Sequence, residues 1–276
     1  MRNLFTAAGC LLLALPAWAQ FNGPISTDRP GISTSSSVTP AGALQFEAGA
    51  EYFQDNATGA YQLPTVLFRT GLAPQAELRA GMRVLRQDSL HGGDHYATRW
   101  STSALGLGAK VQLMRQQGWK PEIAVLVNLV IPHTNFGKSD QGYFGHDFLL
   151  IFTRELSPAL SLTGNLGGAW AGNQAGGVFN YTACLGGKIT HRTGYFVEHY
   201  AIWAEKDKLN PSIDAGFSHL LTPNLQLDLS AGTTRIRHVP NYFLSAGISF
   251  RIDTHGWRIA RKTGPAPEIS KNHSPR

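Results

Sequence analysis

The sequence of 276 residues has little charge, almost no cysteine and no long hydrophobic run after its N-terminal stretch. Only 15% of the residues are charged, whereas soluble domains average about 25%. A formal net charge of +6 and an aromatic content of 10% exclude an intrinsically disordered chain. No later apolar run approaches the roughly 20 residues of a transmembrane helix, which argues against a helical membrane protein. The basic residues form no run, which argues against a nucleic-acid partner.

The first 19 residues have the organisation of a secretory signal peptide. Arg2 provides a positive start, residues 4–15 are largely apolar, and Ala17-Trp18-Ala19 is a small-x-small cleavage site. Cys10 lies within the apolar stretch instead of after it, so we do not expect lipid attachment there. Removal of the peptide leaves Cys184 as the lone cysteine, which excludes an internal disulfide. The mature chain is therefore expected to be exported.

The mature chain is rich in glycine, and in several stretches apolar residues alternate with polar or small residues. Glycine accounts for 30 of the 276 residues. Residues 225–232 alternate leucine or alanine with polar residues or glycine, and residues 77–84, 107–113 and 242–251 follow the same pattern. Each run places an apolar face against a polar or small face, as a half-buried strand does. In a soluble protein the apolar faces point inward, whereas in an outer-membrane barrel they face lipid and the polar residues line the lumen.

Turn residues favour the barrel. The phrase Leu-x-Pro occurs at residues 72–74, 156–158 and 221–223, each time before a new alternating run. Proline suits tight turns because its φ angle is fixed. Two more turns are predicted at residues 118–121 and 191–194, and the connections between the five turns are mostly longer and more polar. Short turns at one end, longer loops at the other and an even strand number are typical of outer-membrane barrels.

The prediction is an all-β fold, a transmembrane antiparallel up-and-down β-barrel of about 12 strands after a cleaved signal peptide. The predicted strands are 43–54, 61–71, 77–86, 100–113, 122–132, 146–156, 159–170, 177–190, 195–204, 211–220, 225–232 and 241–252. The predicted outer loops are 55–60, 87–99, 133–145, 171–176, 205–210 and 233–240. The predicted regions are a signal peptide (1–19), an N-terminal periplasmic or plug segment (20–42), the barrel (43–252) and a flexible C-terminal tail (253–276).

The two ends of the mature chain resemble a known family. The opening Ile25-Ser-Thr-Asp-Arg-Pro-Gly31, the hairpin of residues 214–232 and the closing strand of residues 242–251 carry the resemblance. They are similar to bacterial outer-membrane proteins labelled as transporters of the phenol-degradation meta pathway, and the similarity extends loosely over residues 25–252. The resemblance implies a membrane β-barrel that passes small compounds, aromatic ones among them.

Ten charged residues are candidates for the functional site. Eight lie on polar strand faces, which a barrel turns into the lumen because a charge facing the bilayer centre is costly. They are Glu47, Glu51, Arg79, Arg83, Lys110, Glu198, Asp214 and Asp228. They would form either a charged constriction that filters solutes or a salt-bridge network that closes the interior. Asp28 and Arg29 precede the first strand and would either belong to a plug in the barrel mouth or tie the N-terminal segment to the wall.

Catalytic and metal-binding motifs are scarce. His91-Gly-Gly-Asp94-His95 falls in a predicted outer loop, whereas zinc sites need three or four ligands. The metalloprotease, paired-cysteine, phosphate-loop and nucleophile-elbow motifs are absent. Strand pairing would bring His199 near Ser218 or His219, but any such barrel offers similar pairs. We therefore predict no cofactor, no metal and no enzymatic activity.

Together these features predict a channel or transporter in the outer membrane of a Gram-negative bacterium. Its partners would be the lipid bilayer and a small solute, and small compounds, aromatic or hydrophobic ones among them, would pass passively. One alternative is a closed barrel with a structural or surface-interaction role. Others are a barrel-embedded lipid-modifying enzyme and a soluble periplasmic β-fold.

Overall fold

A computed structural model describes residues 21, 23–54, 58–91, 94–136, 142–172, 176–204, 209–236 and 239–254. The strands are β1 (Ala43–Gln54), β2 (Thr58–Ala73), β3 (Ala76–His91), β4 (Asp94–Thr102), β5 (Leu105–Met114), β6 (Glu122–Ile131), β7 (Gly145–Ser157), β8 (Leu160–Ala171), β9 (Val178–Lys188), β10 (Thr193–Ala204), β11 (Asn210–Thr222), β12 (Leu225–Ile236) and β13 (Val239–Asp253). Within these residues, no helix is long and apolar enough to span a bilayer. The predicted signal peptide and nearly all of the predicted tail lie outside the described residues.

The strands close into a single antiparallel barrel. Each strand from β5 to β13 pairs with the next, β13 pairs with β1, and β1 and β3 flank β2. Residues 76–81 of β3 pair with β5, and residues 84–91 of β3 pair with β4. β4 and β5 are therefore two parts of one wall strand, which is interrupted at residues 103–104. The 13 segments therefore form the 12-stranded up-and-down barrel that the sequence predicts.

Two predicted outer loops are mostly strand. Residues 87–99 were expected to form a loop, but the β3–β4 ladder continues from Arg86 opposite Trp100 to His91 opposite Asp94. In the predicted loop 233–240, β12 extends to Ile236 and β13 begins at Val239. These extensions lack the alternation used to predict strands. A ladder that continues beyond the bilayer still forms its backbone hydrogen bonds but needs no apolar face.

The two faces of the wall are inverted relative to a soluble β-protein. On β12, Leu229 is 50% exposed, while Asp228 and Ser230 beside it are buried inside. On β5, Leu113 is exposed and Lys110 is fully buried. An apolar outer surface around a polar interior is the arrangement of an outer-membrane barrel, whose outer surface meets lipid.

Candidate functional site in the barrel lumen

Residues 23–42 run through the barrel interior, and we refer to them as the inner segment. The Ile25 N–H donates to the Pro223 carbonyl at the β11–β12 turn (2.7 Å), which fixes the start of the segment. Near its end, the Pro40 carbonyl accepts from the Ala43 N–H (2.9 Å). Between these points the segment has no strand or helix. Many of its buried polar groups are therefore satisfied by side chains of the wall, since buried backbone groups need partners.

Asp28 of the inner segment lies among three basic side chains of the wall. Its Oδ2 is 2.6 Å from Arg79 Nη2, and its Oδ1 is 3.4 Å from Lys110 Nζ and 3.6 Å from Arg69 Nη1. Burial alone would raise the pKa of the Asp28 carboxyl, but the three cations hold its pKa well below its ordinary value. Asp28 is therefore a charged anchor at neutral pH.

Arg69 links Asp28 to the carboxylates of two strands. Its side chain is fully buried, and it donates to Glu47 Oε1 (2.9 Å) and to both carboxylate oxygens of Glu77 (3.0 and 2.9 Å). Glu77 also lies 3.6 Å from Lys110 Nζ. Three acidic and three basic side chains are thus interlocked, namely Asp28, Glu47, Glu77, Arg69, Arg79 and Lys110, and we call them the buried ion network. Buried charges of this kind are tolerated only when they are paired.

Arg29 extends to a different part of the wall from its neighbour Asp28. Its Nη2 donates to Asp228 Oδ1 (3.0 Å) and Ser245 Oγ (2.8 Å), and its Nη1 lies 3.5 Å from Glu51. Two strand glycines make room for the guanidinium. A Cβ atom at Gly49 would lie 2.1 Å from Arg29 Nη1, and one at Gly247 would lie 2.2 Å from Arg29 Nε.

The second half of the inner segment is held by side chains of β8 and β10. The Ile32 N–H donates to Glu198 Oε2 (2.8 Å), and the Ser33 hydroxyl donates to Glu198 Oε1. Thr34 and Asn165 form two reciprocal bonds, in which the Thr34 N–H donates to Oδ1 (2.8 Å) and Nδ2 donates to the Thr34 carbonyl (2.9 Å). The segment is therefore bound to the wall on several sides.

Seven of the eight predicted wall residues are buried or partly buried, and six of them contact the inner segment. These six are Glu47, Glu51, Arg79, Lys110, Glu198 and Asp228. Asp214 lies opposite Glu198 in the β10–β11 ladder and is buried; its carboxyl group interacts with that of Glu198, and it bonds to none of the described residues of the inner segment. Arg83 is exposed and donates a long bond to Gln62 (3.4 Å). The contacts among most of these charges are mutually neutralising.

Two members of the buried ion network, Arg69 and Glu77, are absent from the sequence-based candidates. The sequence feature that could have identified Arg69 as a lumen residue is the turn at Pro74, because a hairpin closed at that turn pairs Arg69 with Arg79. If Arg79 faces the lumen, Arg69 must face it as well, since paired residues share a face. Glu77 is two residues before Arg79 and has the same orientation.

Among the cavities that the described residues line, two lie on either side of the inner segment. The outer cavity, of about 490 Å³, lies on the loop side and is lined by Phe53, Arg83 and Tyr200 among others. The turn-side cavity, of about 510 Å³, is lined by residues of the β7–β8 turn and by Phe196. Residues 28–31 line both cavities, so this short stretch is the partition between them.

The described residues considered for catalysis do not lie together in one site. His199 and His219 are exposed on the outer surface, whereas Ser218 lines the turn-side cavity. The side chains of His91, Asp94 and His95 lie outside the described part of the structure. Among the described residues, no three histidine, cysteine, aspartate or glutamate side chains are grouped as metal ligands would be.

Comparisons with solved structures agree on the fold. An outer-membrane channel of Pseudomonas putida F1 (COG4313) superposes with a TM-score of 0.61 at 14% identity, over 81% of this chain and 99% of that chain. The NanC porin superposes with a TM-score of 0.53 at 6% identity, over 75% of this chain and 100% of that chain. No curated protein matches the sequence. The family described as "Putative MetA-pathway of phenol degradation" matches residues 27–252, and the chain therefore belongs to this family.

Proposed function

We propose that the protein is a channel in the outer membrane of a Gram-negative bacterium through which small compounds, aromatic or hydrophobic ones among them, pass passively. The observation that carries the proposal is the pair of cavities of about 490 and 510 Å³, separated by residues 28–31 of the inner segment. Two further facts support it. The family description refers to phenol degradation, and a similar barrel is described as an outer-membrane channel.

In this proposal the inner segment is a movable plug. Its contacts with the wall are hydrogen bonds and ion pairs, and they are concentrated at Asp28, Arg29 and Glu198. Aromatic side chains line both compartments, with Phe53 and Phe243 in the outer cavity and Phe196 in the turn-side cavity. A small apolar solute would therefore find apolar surface on both sides of the partition. Its concentration gradient would drive net passage when residues 28–31 move aside.

The test is flux through purified protein in planar bilayers and in liposomes that swell with small solutes. We expect measurable conductance for the native protein and a several-fold increase for the double variant Asp28→Ala and Arg29→Ala, since both anchors of the partition are lost. Ser37→Ala is the matched control, because Ser37 belongs to the same segment but, among the described residues, its hydroxyl bonds only to Ser26 and Ser35.

The same measurement separates the channel from the closed barrel. Folded native protein and folded double variant that both lack flux would contradict the channel and favour a structural or surface-interaction role. The balanced charges of the buried ion network are the observation that favours this second candidate. A phospholipid hydrolysis assay on the same samples addresses the enzyme alternative, and we expect no product because the histidines and Ser218 occupy opposite faces of the wall.

A further inference from the structure

Three basic side chains converge at one point of the lumen wall. Arg69, Arg79 and Lys110 belong to β2, β3 and β5, which are neighbouring strands. Arg69 and Arg79 lie directly opposite each other in the β2–β3 ladder, an arrangement in which like charges destabilise a sheet. All three side chains are buried or nearly buried, so water screens their mutual repulsion poorly. The wall therefore needs anionic groups at this point.

Two of the anions at this point belong to the wall, and the third does not. Glu47 of β1 and Glu77 of β3 pair with Arg69, both at 2.9 Å. The third carboxylate is that of Asp28, which belongs to the inner segment. Without Asp28, the bases of the buried ion network exceed its acids by one. The wall would then contain a buried positive charge without a counterion, which is unfavourable.

The carboxylate of Asp28 occupies this point as the carboxylate of a free ligand would. Its Oδ2 lies 2.6 Å from Arg79 Nη2, and its Oδ1 lies 3.4 Å from Lys110 Nζ and 3.6 Å from Arg69 Nη1. The two oxygens face different bases, which suits a planar group with two oxygens and a single negative charge. Asp28 and Arg79 both line the outer cavity, so a solute in that compartment reaches this position once Asp28 withdraws.

We propose that Arg69, Arg79 and Lys110 form a carboxylate-binding site, and that the carboxylate of a small solute displaces Asp28 from this site and loosens the partition. The inference rests on the channel function proposed above and states which class of solute opens the channel. A solute carboxylate restores the charge balance that is lost when Asp28 withdraws, whereas a neutral solute does not. A cationic solute is repelled by the three bases.

The other charged groups of the outer cavity permit a carboxylate to enter. Glu51 Oε1 lies 3.5 Å from Arg29 Nη1, which offsets its charge. Among the carboxylates that line this cavity, only Asp147 forms no ion pair with the described residues, so it weakens the attraction of an anion. Arg83 is exposed and lines the same cavity, and its positive charge offsets that repulsion.

The first test is binding of butyrate and butyramide, two probes that have nearly the same shape and differ in charge. Both are titrated at pH 7 by ligand-observed NMR against the detergent-solubilised protein, with protein-free micelles as the blank. We expect butyrate to bind about tenfold more tightly than butyramide, because only butyrate forms charge-assisted hydrogen bonds with the three bases. Equal binding of the two probes would overturn the inference.

Asp28→Asn tests the competition between the inner segment and the solute. We expect this variant to bind butyrate about tenfold more tightly than the native protein, because the site keeps its three bases and loses its internal carboxylate. Glu122→Gln is the matched control, since Glu122 is also a carboxylate that contacts the inner segment (Ser36 Oγ, 2.6 Å) but forms no ion pair with the described residues. Its affinity for butyrate should equal that of the native protein. Equal affinities of folded Asp28→Asn and the native protein would contradict the displacement.

Arg79→Gln tests the wall side of the site. Arg79 makes the shortest contact with the Asp28 carboxylate, so we expect its replacement to remove the preference for butyrate and to leave butyramide binding unchanged. Asp28→Asn retains all three bases, so it tests the site even if Arg79→Gln fails to fold. A preference for butyrate that persists in folded Arg79→Gln would overturn the site.

Conductance in planar bilayers distinguishes this inference from the proposed function. Butyrate replaces chloride at constant ionic strength, and butyramide is added to a parallel sample. We expect only butyrate to raise the conductance of the native protein, by about twofold, since Arg29 still holds the partition after Asp28 is displaced. A preference for butyrate without conductance in any sample would support the binding site and overturn the channel. Conductance that does not respond to butyrate would support the channel and overturn the displacement.

Discussion

At the scale of single residues, Arg69 is the centre of the buried ion network. Its guanidinium is fully buried and contacts the carboxylates of Asp28, Glu47 and Glu77. We expect Arg69→Met to lower the free energy of unfolding by about 3–5 kcal/mol, because removing one partner leaves buried carboxylates uncompensated. Guanidinium-induced unfolding of the protein in vesicles, followed by tryptophan fluorescence, measures this change.

Arg83→Met is the control for Arg69→Met. Arg83 lies on the neighbouring strand and also carries a full charge, but it is exposed, and within the described part of the chain its side chain makes one long bond at 3.4 Å. Its replacement is expected to change the free energy of unfolding by no more than about 0.5 kcal/mol. Equal effects of the two substitutions would show that the network does not stabilise the barrel.

The alternation of strand residues pointed to several charges on polar strand faces, but it did not identify Arg69 and does not show how the charges pair. Glu198 and Asp214 have the same sequence signature of a charge on a polar strand face. Glu198 accepts bonds from Ile32 and Ser33 of the inner segment, whereas Asp214 interacts with Glu198 and with none of the described residues of that segment. The difference depends on where the inner segment passes. That path has no periodicity and follows from contacts distant in sequence.

At the scale of elements, strands inside the bilayer were predictable and their extensions were not. β1 has the predicted bounds of residues 43–54, and its buried and more exposed residues alternate from Ala43 to Ala50. The parts of β3 and β4 on the loop side contain the charged residues Arg86, Asp88 and Arg99, so their composition is that of a loop. Their ladder depends on backbone hydrogen bonds, which the identity of the side chains does not specify.

The inner segment and β1 fit together through a glycine, which allows a test at this scale. We expect Gly49→Ala to displace Arg29, because the added methyl group would lie 2.1 Å from Arg29 Nη1. Asp228 and Ser245 hold that guanidinium, so it cannot move without losing those bonds. The partition should loosen, and single-channel conductance in planar bilayers should rise several-fold above that of the native protein.

Gly164→Ala provides the comparison for Gly49→Ala. Gly164 also lies within a strand, but the nearest atom to an added Cβ is 3.5 Å away, an ordinary contact. Its conductance should equal that of the native protein. A Gly49→Ala variant that also conducts like the native protein would show that Arg29 does not hold the partition in place.

At the scale of the whole molecule, the scarcity of charge follows from the two surfaces of the wall. Exposed leucine, valine and phenylalanine side chains cover the outside of the barrel, and aromatic rings contact one another there in stacked and edge-to-face pairs. Trp170, Phe179 and Trp203 form one such group near the loop ends of β8, β9 and β10. Aromatic groups at strand ends are typical of the membrane interface. Charges are therefore confined largely to the lumen, the turns and the loops.

Because the outer surface of the barrel faces lipid, we expect the loss of stability caused by a charged substitution there to depend on its depth in the bilayer. Leu229 is 50% exposed within β12, whereas Leu221 is 45% exposed beside the turn at Pro223. Leu229→Arg should destabilise the protein by about 2–4 kcal/mol, because the charge lies deep in the bilayer, and Leu221→Arg by about 0–1 kcal/mol near the interface. Unfolding in vesicles measures both values. Similar small losses for the two variants would mean that this surface does not face hydrocarbon. Since the two leucines are almost equally exposed, a larger loss at Leu229 would reflect bilayer depth and not side-chain burial.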